Sequence, residues 1–570
     1  MRKESSSFIK LLAKQADAKG ADCAYSFLQR DRVQQSMTFG ELEKSVRQMA
    51  AYLVASGLQP KDRILLFCEP SLSYIVSFWA CLYASTIPVP AYPPNSRNTD
   101  MLNKIATDSG AKCILSTQSI RQRFEKFSNR NSAIHSILNE LQWLSIERGE
   151  AYDGVDCEMP NASGDDIAFL QYTSGSTGAP KGVMVTHDNL MHNLAIARSS
   201  FRLRAGIQVV SWLPPFHDMG LIGGIFQPLY SGMKATLMAP VDFIKKPFRW
   251  LKAISDIQKE GPVISGAPNF AYDLCVQKIQ EAQRAQLNLQ HWEIAFCGAE
   301  PVRESTLNNF SQYFGSVGFR KNAFFPVYGL AENTLMAAGK YHPSGPVVEA
   351  FDATQEKTAA TQVAADGRHL GYELLPSAVE VKIVAPDSGE VLGDKIVGEI
   401  WIRSQSTAKG YWGKEDLTAQ VFRNKLKGED AYFLRSGDLG FLHKDHLFIC
   451  GRLKDLFIVR GKNHYFQDIE QTVYHTHTAI NQNAGLAFAI DESLYIVQEL
   501  NREAYRQVDP EEVFDAIRKN VSIRHDLAVQ AIALLTPATL PKTTSGKLRR
   551  SETKKRFLSN QLSIHAAWQA

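Results

Sequence analysis

The sequence predicts an α/β protein in which a large N-terminal unit is followed by a smaller α+β unit. At 570 residues the chain exceeds what one hydrophobic core usually serves, so we expect at least two domains. Strand-like and helix-like apolar runs alternate from residue 63 to about residue 350, as they do in α/β folds. From about residue 351 short strands separated by glycine turns predominate, and a new mixture of strands and helices begins after residue 455.

The alternating part begins with three predicted strands and two predicted helices. In chain order they are strand 63–67, helix 71–84, strand 87–91, helix 101–108 and strand 113–115. The apolar run 74–87 ends at Pro88 and is shorter than the roughly 20 residues needed to cross a bilayer. We therefore interpret this run as a buried helix and do not expect a transmembrane protein.

The alternation continues beyond residue 186. Thr186 has a side chain suited to cap a helix, which we predict to run to Ala197. The predicted elements that follow are strand 209–213, helix 221–230, strand 235–238, helix 247–258, strand 262–265 and strand 294–297.

Four loops rich in glycine, proline, histidine or acidic residues follow elements of this region. They are residues 214–218, 266–268, 298–301 and 328–332. Ligands of open α/β sheets bind beyond the carboxyl ends of the strands, so we expect these loops to form one composite site.

The C-terminal part has two predicted sections. The β-rich section contains strands 379–384, 398–403, 433–434 and 447–450, and the α+β section contains strand 456–459, helix 469–474, a hairpin at 484–497 and strand 528–535. Asp509, Pro510 and Glu512 predict a further helix with an N-terminal cap and a reciprocal acidic contact. We place the domains at 1–453 and 454–570, and residues 451–455 are either a hinge or a plain linker.

Composition excludes several classes of protein. The 63 basic and 59 acidic side chains nearly balance, so no overall field favours nucleic acid or a membrane surface. The eight cysteines show no C-x-x-C pairing, which indicates neither a zinc site nor a disulfide framework. The first 20 residues have scattered charges and no continuous apolar core, so we expect a cytoplasmic protein without a secretory signal.

Residues 172–182 contain the densest group of hydroxyls and glycines in the chain, together with a lysine. Glycines let backbone N–H groups converge on an anion, and hydroxyls and an ammonium add further donors, so the stretch is suited to hold phosphates. The residues concerned are Thr173, Ser174, Gly175, Ser176, Thr177 and Lys181. The apolar runs 167–170 and 183–185 predict a loop between two strands, whereas a P-loop requires a helix and a Ser or Thr after its lysine. The alternative is a flexible Gly/Ser turn without function.

Four further motifs follow this stretch. They are Tyr328-Gly329-Leu330-Ala331-Glu332, Ser436-Gly437-Asp438, Gly451-Arg452-Leu453-Lys454-Asp455 and Pro541-Lys542-Thr543-Thr544-Ser545-Gly546-Lys547. Their identity and order resemble the adenylate-forming, or AMP-binding, superfamily of acyl and aryl ligases and luciferases across nearly the whole chain. The resemblance implies the adenylate-forming enzyme fold, with a large N-terminal domain of several subdomains and a small, mobile α+β C-terminal domain.

Other details are similar to the fatty acyl-AMP ligase branch of that superfamily. The stretches concerned are 214–223, 328–335 with Ala331 where many relatives have threonine, Asn463-His464-Tyr465 and Gln467-Asp468-Ile469-Glu470. Residues 337–370 look longer than in CoA-forming relatives, as the insertion of the branch would be. Phe466 stands where the branch usually has proline, so the sequence departs from the branch in this local turn.

The resemblance implies attack of a carboxylate on the α-phosphorus of ATP, which gives an acyl-adenylate and pyrophosphate. Such a site needs charge neutralisation and alignment more than a covalent nucleophile. Glu332 is implied as a catalytic residue and the Mg²⁺ ligand, and carboxylate oxygen suits that ion. A lone glutamate at a helix start can also simply favour the helix dipole. Lys547 is implied as the catalytic cation.

The remaining implied contacts are to the nucleotide and the acyl group. Asp438, in a tight turn, and Arg452 are implied to bind the ribose, although Ser-Gly-Asp is by itself an ordinary turn. The implied adenine contacts are Gly298, Ala299, Glu300, Tyr328, Gly329, Leu330 and Ala331. His217 is implied beside the acyl carboxylate or is a structural hydrogen-bonding residue.

We expect the alkyl chain near Met219, Leu221, Ile222, Phe226 and residues 266–270, each of which could instead belong to the core. The basic residues around Lys547 predict a solvated helical face more strongly than a surface for an acidic partner. They are Lys542, Arg549, Arg550, Lys554, Lys555 and Arg556.

The sequence therefore predicts a fatty acyl-AMP ligase that activates a medium- or long-chain fatty acid with Mg-ATP. The acceptor would be the phosphopantetheine of an acyl carrier protein or of a carrier domain in a polyketide or peptide synthetase. A fatty acyl-CoA synthetase and a non-catalytic binding protein remain alternatives.

Overall fold

A computed structural model describes residues 8–29, 32–95, 98–128, 137–154, 157, 160–174, 180–351, 368–459, 462–490, 493–542 and 548–570. Its helices and strands follow in chain order. The first section contains α1 (Lys10–Lys19), β1 (Cys23–Gln29), β2 (Arg32–Thr38), α2 (Phe39–Ala55), β3 (Arg63–Phe67), α3 (Leu72–Tyr83), β4 (Ile87–Pro90), α4 (Thr99–Ser109), β5 (Cys113–Ser116), α5 (Gln118–Ser128), α6 (Ile137–Glu140), β6 (Gln142–Ser145) and α7 (Ile146–Glu150).

The second section begins with a hairpin and continues as alternating strands and helices. It contains β7 (Ile167–Ser174), β8 (Pro180–Thr186), α8 (His187–Ser200), β9 (Gln208–Ser211), a π-helix (Met219–Phe226), α9 (Gln227–Ser231), β10 (Ala235–Met238), α10 (Pro240–Lys245), α11 (Phe248–Ile257), β11 (Val263–Ala267), α12 (Asn269–Lys278), α13 (Glu281–Arg284), β12 (Trp292–Cys297), α14 (Glu304–Phe314), β13 (Phe324–Pro326), β14 (Tyr328–Gly329), β15 (Met336–Ala338) and β16 (Val347–Ala350). Short 3₁₀ turns lie at Gly315–Val317, Lys321–Ala323 and Ala331–Asn333.

The last two sections are rich in strands. They contain β17 (Arg368–Glu373), β18 (Val379–Val384), β19 (Gly398–Ser404), α15 (Glu415–Phe422), β20 (Asn424–Lys425), β21 (Tyr432–His443), β22 (His446–Arg452), a 3₁₀ turn (Leu453–Asp455), β23 (Leu456–Val459), β24 (Lys462–Tyr465), α16 (Phe466–Tyr474), β25 (Ile480–Ile490), β26 (Ser493–Leu500), α17 (Pro510–His525), β27 (Val529–Leu535), α18 (Arg550–Leu558) and β28 (Ile564–Gln569).

The sheet that positions the site has the strand order β13-β12-β11-β9-β10-β1-β2. All neighbouring pairs from β13 to β1 are parallel, and only the β1–β2 pair is antiparallel. The strands β9, β11, β12 and β13 are neighbours, so the loops that follow them leave one edge of the sheet together. The expectation that these loops share an edge is confirmed, whereas β1 and β2 were not predicted.

A second parallel sheet, ordered β4-β3-β5-β6, contains the first predicted strands. Between β3 and β4 lies α3, which Ser71 caps by accepting a hydrogen bond from the Tyr74 N–H. All but one of its residues are buried, and Trp79 packs with Phe8 and Phe226, so the run is a core helix as predicted. No helix among the described residues is long and apolar enough to cross a membrane.

The β-rich section forms an antiparallel sheet ordered β16-β17-β22-β21-β19-β18. It contains the strands predicted there, and its first connection, 352–367, lies outside the described residues. Much of the predicted insertion at 337–370 therefore also lies outside them. The structure describes all eight cysteines as free thiols.

The C-terminal elements form a separate four-stranded sheet, β25-β26-β27-β28, packed against α16 and α17. Its hydrophobic cluster consists of residues from Phe457 onward. Asp509 caps α17 by accepting from the Glu511 N–H, but the predicted reciprocal contact from Glu512 is absent between these described residues. Phe466, which replaces the usual proline, begins α16 and stacks on Phe457.

Candidate active site

The predicted phosphate-binding stretch is a β-hairpin. Strands β7 and β8 pair in antiparallel register with Tyr172 opposite Gly182 and Thr173 opposite Lys181, so the prediction of a loop between two strands is confirmed. A Cβ atom on Gly182 would lie 2.9 Å from the Tyr172 ring, which explains the glycine there. Gly175, Ser176 and Thr177 lie outside the described residues, and for Ser174 only the backbone is described.

A segment from the β-rich section binds along the outer edge of this hairpin. The Met184 N–H donates to the Gly410 carbonyl at 2.9 Å, and the Trp412 N–H donates to the Gly182 carbonyl at 2.8 Å. Between these bonds Tyr411 presents its ring to the Lys181 ammonium, 5.1 Å from the ring centroid. The hairpin lysine therefore has an aromatic partner more than 200 residues later in the chain.

Charged residues from other motifs lie close to Lys181. Burial lowers the pKa of Lys181, and the cations Lys454 and Lys414 act in the same direction, whereas Glu332 opposes them. Lys454 belongs to the 451–455 motif and Glu332 to the 328–332 motif. Three of the predicted motifs thus meet within electrostatic range of one ammonium group.

Glu332 lies in the 3₁₀ turn that follows β14. Its Oε1 atom accepts a hydrogen bond of 2.7 Å from the Tyr411 hydroxyl, and its carbonyl accepts from the Ala408 N–H at 2.9 Å. Burial, followed by the Glu332 charge, raises the pKa of Tyr411, which keeps this hydroxyl a donor. No described residue donates to Oε2, so a half-buried carboxylate oxygen remains able to bind a hard cation such as Mg²⁺. Glu332 is therefore suited to act as a magnesium ligand.

Two buried asparagines support the turn that contains Glu332. Asn193 of α8 donates to the Asn333 carbonyl at 3.3 Å and to the Met336 carbonyl at 3.0 Å. The Thr407 hydroxyl donates to the Asn333 side chain at 3.1 Å. Thr334 has a φ of 67° and a ψ of −61°, a strained γ-turn conformation that the surrounding bonds must stabilise.

Asp438 lies in strand β21 and not in the predicted tight turn. It stands opposite Arg452 in the β21–β22 pairing, and its carboxylate accepts from the Arg452 Nε at 3.1 Å and from the Tyr328 hydroxyl at 2.8 Å. The cross-strand partner explains the difference, because pairing with β22 extends the strand through Gly437, whose φ of 72° bends it locally. Burial and the Asp438 charge raise the pKa of Tyr328.

A buried glutamate holds the bend before Asp438. Glu399 is 2% exposed, and it accepts from the Arg435 Nε at 2.9 Å and from the Gly437 N–H at 3.2 Å. The Trp401 Nε1 donates to the same carboxylate at 3.1 Å. Sequence reasoning missed this residue, although an acid inside an otherwise apolar strand was a visible signal.

The predicted adenine loop follows β12 and contacts the chain immediately after β13. A Cβ on Gly298 would lie 2.6 Å from the Val327 carbonyl oxygen, so only glycine allows this approach. Ala299 has a φ of 65°, and the Glu300 carboxylate accepts from the Phe270 N–H at 2.7 Å. The structure therefore brings the loops after β11, β12 and β13 together.

The loop of His217 is fixed from two sides. The Gln171 side chain of β7 donates to the Phe216 carbonyl at 3.1 Å, and the Tyr74 hydroxyl donates to the Pro215 carbonyl at 2.8 Å. The His217 ring lies edge-on to Tyr92 with centroids 5.8 Å apart. The loop thus lies directly beside the phosphate hairpin.

The expected alkyl-pocket residues divide into two groups. Leu221, Ile222 and Phe226 are fully buried in the main core, where Phe226 packs with Phe8 and Phe78 at centroid distances of 4.9 and 5.1 Å. These residues are core. The predicted helix over 221–230 is a π-helix up to Phe226 and an α-helix after it. Met219 and Phe270 are only partly buried and stay candidates.

Lys547 lies outside the described residues, as do the neighbouring residues 543–546. Arg550, expected on a solvated helical face, is instead only 17% exposed and lies between Asp455 and Glu470, each 2.7 Å away. The prediction of a solvated face is therefore wrong for Arg550, because two carboxylates from other elements surround it. Lys554 also bonds inward, to the Ala489 carbonyl at 2.8 Å.

Comparison with known proteins places this arrangement in a family. Residues 12–412 match the AMP-binding enzyme family, and residues 454–567 match the AMP domain of Disco-interacting protein 2-like proteins. The chain belongs to the AMP-binding enzyme family.

Within that family its relatives are fatty acid ligases. The medium-chain fatty acid–[acyl-carrier-protein] ligase JamA of Moorena producens is 36% identical, over 98% of this chain and 96% of JamA. The long-chain fatty acid–AMP ligase FadD32 of Mycobacterium marinum is 31% identical, over 98% and 95% of the two chains. The crystal structure of a fatty acyl-adenylate ligase from L. pneumophila, in complex with acyl adenylate and pyrophosphate, has 37% identity and a TM-score of 0.75, covering 99% and 98% of the chains. The predicted superfamily and branch are thereby confirmed.

Proposed function

We propose that this protein is a fatty acyl-AMP ligase that activates a fatty acid with ATP and passes the acyl group to a carrier protein. The observation that supports this most directly is that four motifs are connected through Glu332. Lys181 and Arg452 both interact electrostatically with Glu332, and Arg452 contacts Asp438. Relatives over the full length of the chain include an acyl-carrier-protein ligase and a fatty acyl-adenylate ligase with its product bound.

The first half-reaction joins two anions. A carboxylate oxygen forms a bond to the α-phosphorus of ATP, the bond from that phosphorus to the bridging oxygen breaks, and pyrophosphate leaves. Positive groups must neutralise both reactants and hold them in line. Lys181 and the hairpin N–H groups are suited to the β- and γ-phosphates, which become the pyrophosphate.

Magnesium, when bound, would offset phosphate charge, and Glu332 is the residue that would hold it. Oε1 of Glu332 is committed to Tyr411, and this bond fixes the direction of the second carboxylate oxygen. We assign Glu332 and Tyr411 as a ligand and its orienting partner.

The nucleotide would lie along the edge formed by the loops after β12 and β13. Asp438 is suited to accept from the ribose hydroxyls, with Arg452 beside it, and Gly298, Ala299 and Glu300 with residues 328–331 would frame the adenine. We place the acyl carboxylate beside His217, whose loop adjoins β7. Lys547 would approach the α-phosphate and the carboxylate from the C-terminal unit.

The two units correspond to different tasks in this proposal. Residues 1–453 would bind both substrates, and residues 454–570, turning about 451–455, would bring Lys547 to them. In the second half-reaction the thiolate of a carrier phosphopantetheine attacks the acyl carbonyl, and AMP leaves. We propose a medium- or long-chain fatty acid, an acyl carrier protein or a synthetase carrier domain as the acceptor, and a cytoplasmic location.

The test is to incubate the purified protein with dodecanoic acid, ATP and Mg²⁺, with and without CoA. We expect pyrophosphate and dodecanoyl-adenylate in both reactions and little dodecanoyl-CoA. Abundant dodecanoyl-CoA would identify an acyl-CoA synthetase instead. Absence of fatty-acid-dependent pyrophosphate exchange over fatty acids of 6 to 18 carbons would favour a non-catalytic binding protein.

A further inference from the structure

Charged side chains that are largely shielded from solvent hold both described flanks of the Lys547 segment. On the N-terminal side, Glu499 at the end of β26 is 1% exposed. Its Oε1 atom accepts from the N–H groups of Thr539 and Leu540 at 2.8 and 2.7 Å, and its Oε2 accepts from the Asn481 side chain at 3.2 Å. A carboxylate buried in this way is costly unless such donors satisfy it. Here it fixes the backbone just before residue 541.

On the C-terminal side, Arg550 begins α18. Its guanidinium contacts Asp455 and Glu470 at 2.7 Å each, and its Nε donates to the Ala487 carbonyl at 3.0 Å. Burial raises the pKa of the Glu470 carboxyl, whereas the Arg550 charge lowers it. Asp455 belongs to the 451–455 motif, so Arg550 connects the chain just after Lys547 with the proposed hinge.

The two flanks are also tied to each other. Lys542 and Leu548 form an antiparallel bridge, and the Arg549 N–H donates to the Pro541 carbonyl at 2.9 Å. The segment that contains Lys547 therefore begins and ends at one closed base. Glu499 fixes one side of that base, and Arg550 fixes the other.

We propose that Glu499 and Arg550 are positioning residues for Lys547: they fix the base of its segment so that the ammonium reaches the α-phosphate in register. This inference rests on the proposed function, because it assumes that Lys547 acts in adenylation. Neither residue needs to touch the substrate. A displacement of about 1 Å at a reacting group can lower a rate by about 100-fold, so a fixed base has a measurable effect.

The effects of Arg550 and Lys547 on adenylation should be coupled. If Arg550 acts through Lys547, its loss matters only while Lys547 is present. We expect Arg550→Gln to lower the adenylation kcat by about 100-fold in the wild-type background, with the KM for ATP unchanged. In the Lys547→Ala background, the same substitution should add almost no further loss.

The experiment measures fatty-acid-dependent pyrophosphate exchange for wild type, Arg550→Gln, Lys547→Ala and the double variant. Rates are divided by the concentration of sites that bind dodecanoyl-sulfamoyladenosine in calorimetric titration, which removes the contribution of misfolded protein. Arg550→Lys, which retains the cation, should recover part of the rate. Arg518→Gln is the matched control, because it removes an exposed ion pair with Asp515 in the same unit.

Three further variants keep the test independent of folding. Glu470→Gln combined with Arg550→Gln removes Arg550 together with its buried partner, so Glu470 is not left as a buried charge without its cation. Glu499→Leu removes the acceptor for Thr539 and Leu540, and Glu499→Gln retains one oxygen there. We expect the first two variants to lose adenylation selectively and Glu499→Gln to lose least.

The possible results distinguish the positioning role of Arg550 from the proposed role of Lys547 and from the proposed function. An equal loss from Arg550→Gln in both backgrounds, or no loss in the wild-type background, would overturn the positioning role. Full activity of Lys547→Ala alone would instead refute the proposed role of Lys547. Absence of exchange in the wild-type protein would refute the proposed function itself.

Discussion

The hydrogen bond between Tyr411 and Glu332 provides a sharp test of the proposed metal site. Replacing Tyr411 with phenylalanine removes the hydroxyl that donates to Glu332 Oε1 at 2.7 Å but keeps the ring under the Lys181 ammonium. The substitution therefore changes the orientation of the carboxylate and leaves the cation–π contact in place. The side chain is buried in the core cluster, and phenylalanine fits the same space.

The size of the effect follows from the kind of bond that is lost. A hydrogen bond to a charged group contributes about 1.5–3 kcal/mol, and removal of an outer partner of a metal ligand costs about 10- to 100-fold in metal affinity. The two estimates agree, because about 1.4 kcal/mol corresponds to a factor of ten. We expect Tyr411→Phe to raise the Mg²⁺ concentration for half-maximal adenylation by about 10- to 100-fold.

The assay is a Mg²⁺ titration of pyrophosphate exchange, together with calorimetric titration of Mg-ATP in the absence of fatty acid. Tyr432→Phe is the control, since that tyrosine is 54% exposed and lies beside Lys425. An unchanged Mg²⁺ requirement in Tyr411→Phe, with a raised requirement in Glu332→Gln, would refute the orienting role of Tyr411. An unchanged requirement in both variants would refute Glu332 as the ligand.

Three further predictions concern the nucleotide, pH and packing. Asp438→Asn should raise the KM for ATP by about 10- to 150-fold, because a charged acceptor for the ribose contributes about 1.5–3 kcal/mol. His187 is buried and its pKa is lowered from 6.5 to about 4, so the unfolded state binds a proton more readily. The stability that neutral His187 contributes is complete above pH 6.5 and is lost as the pH falls towards 4. The loss in the free energy of unfolding is about 2 kcal/mol between pH 7.5 and 5. His187→Gln should remove this loss, as measured by urea unfolding. Gly298→Ala should cost about 1–3 kcal/mol by overpacking against Val327, measured as a lower urea midpoint.

Each of these predictions has a contradicting result. A KM for ATP within twofold of wild type in Asp438→Asn would place the ribose elsewhere. If wild type and His187→Gln lost stability in parallel below pH 6.5, another group would be responsible for the pH dependence. A Gly298→Ala variant as stable as Gly315→Ala would show that the loop relaxes around the new methyl group, because a Cβ at Gly315 meets no atom within 4 Å and its φ is negative.

Local signals explain the predictions that held. The predicted cap at Thr186 accepts from the Asn189 N–H three residues later, and a sequence shows both partners of such a bond within one turn. The alternation of apolar runs in the same way predicted the parallel sheet and the edge at which its loops meet. The hairpin of residues 167–186 followed from two apolar runs around a glycine-rich stretch.

Long-range partners explain the predictions that failed. Arg550 is largely shielded from solvent because Asp455 and Glu470, 80 or more positions earlier, pair with it, and nothing near Arg550 in the sequence indicates this. Asp438 lies in strand β21 because it pairs with Arg452 of the neighbouring strand β22. Glu512 makes no reciprocal bond to the backbone of the cap residue Asp509, although the sequence pattern at the start of this helix predicts one.

The sequence alone determined the superfamily, the ligase branch, the order of the motifs and most of the strands and helices, because these depend on local spacing and residue type. Only the tertiary structure decided which groups meet. It joined Tyr411 to Glu332 and Glu399 to the bend before Asp438. It also joined Glu499 and Arg550 to the base of the Lys547 segment. These contacts join residues 38 to 80 positions apart, and their geometry depends on packing of the whole chain.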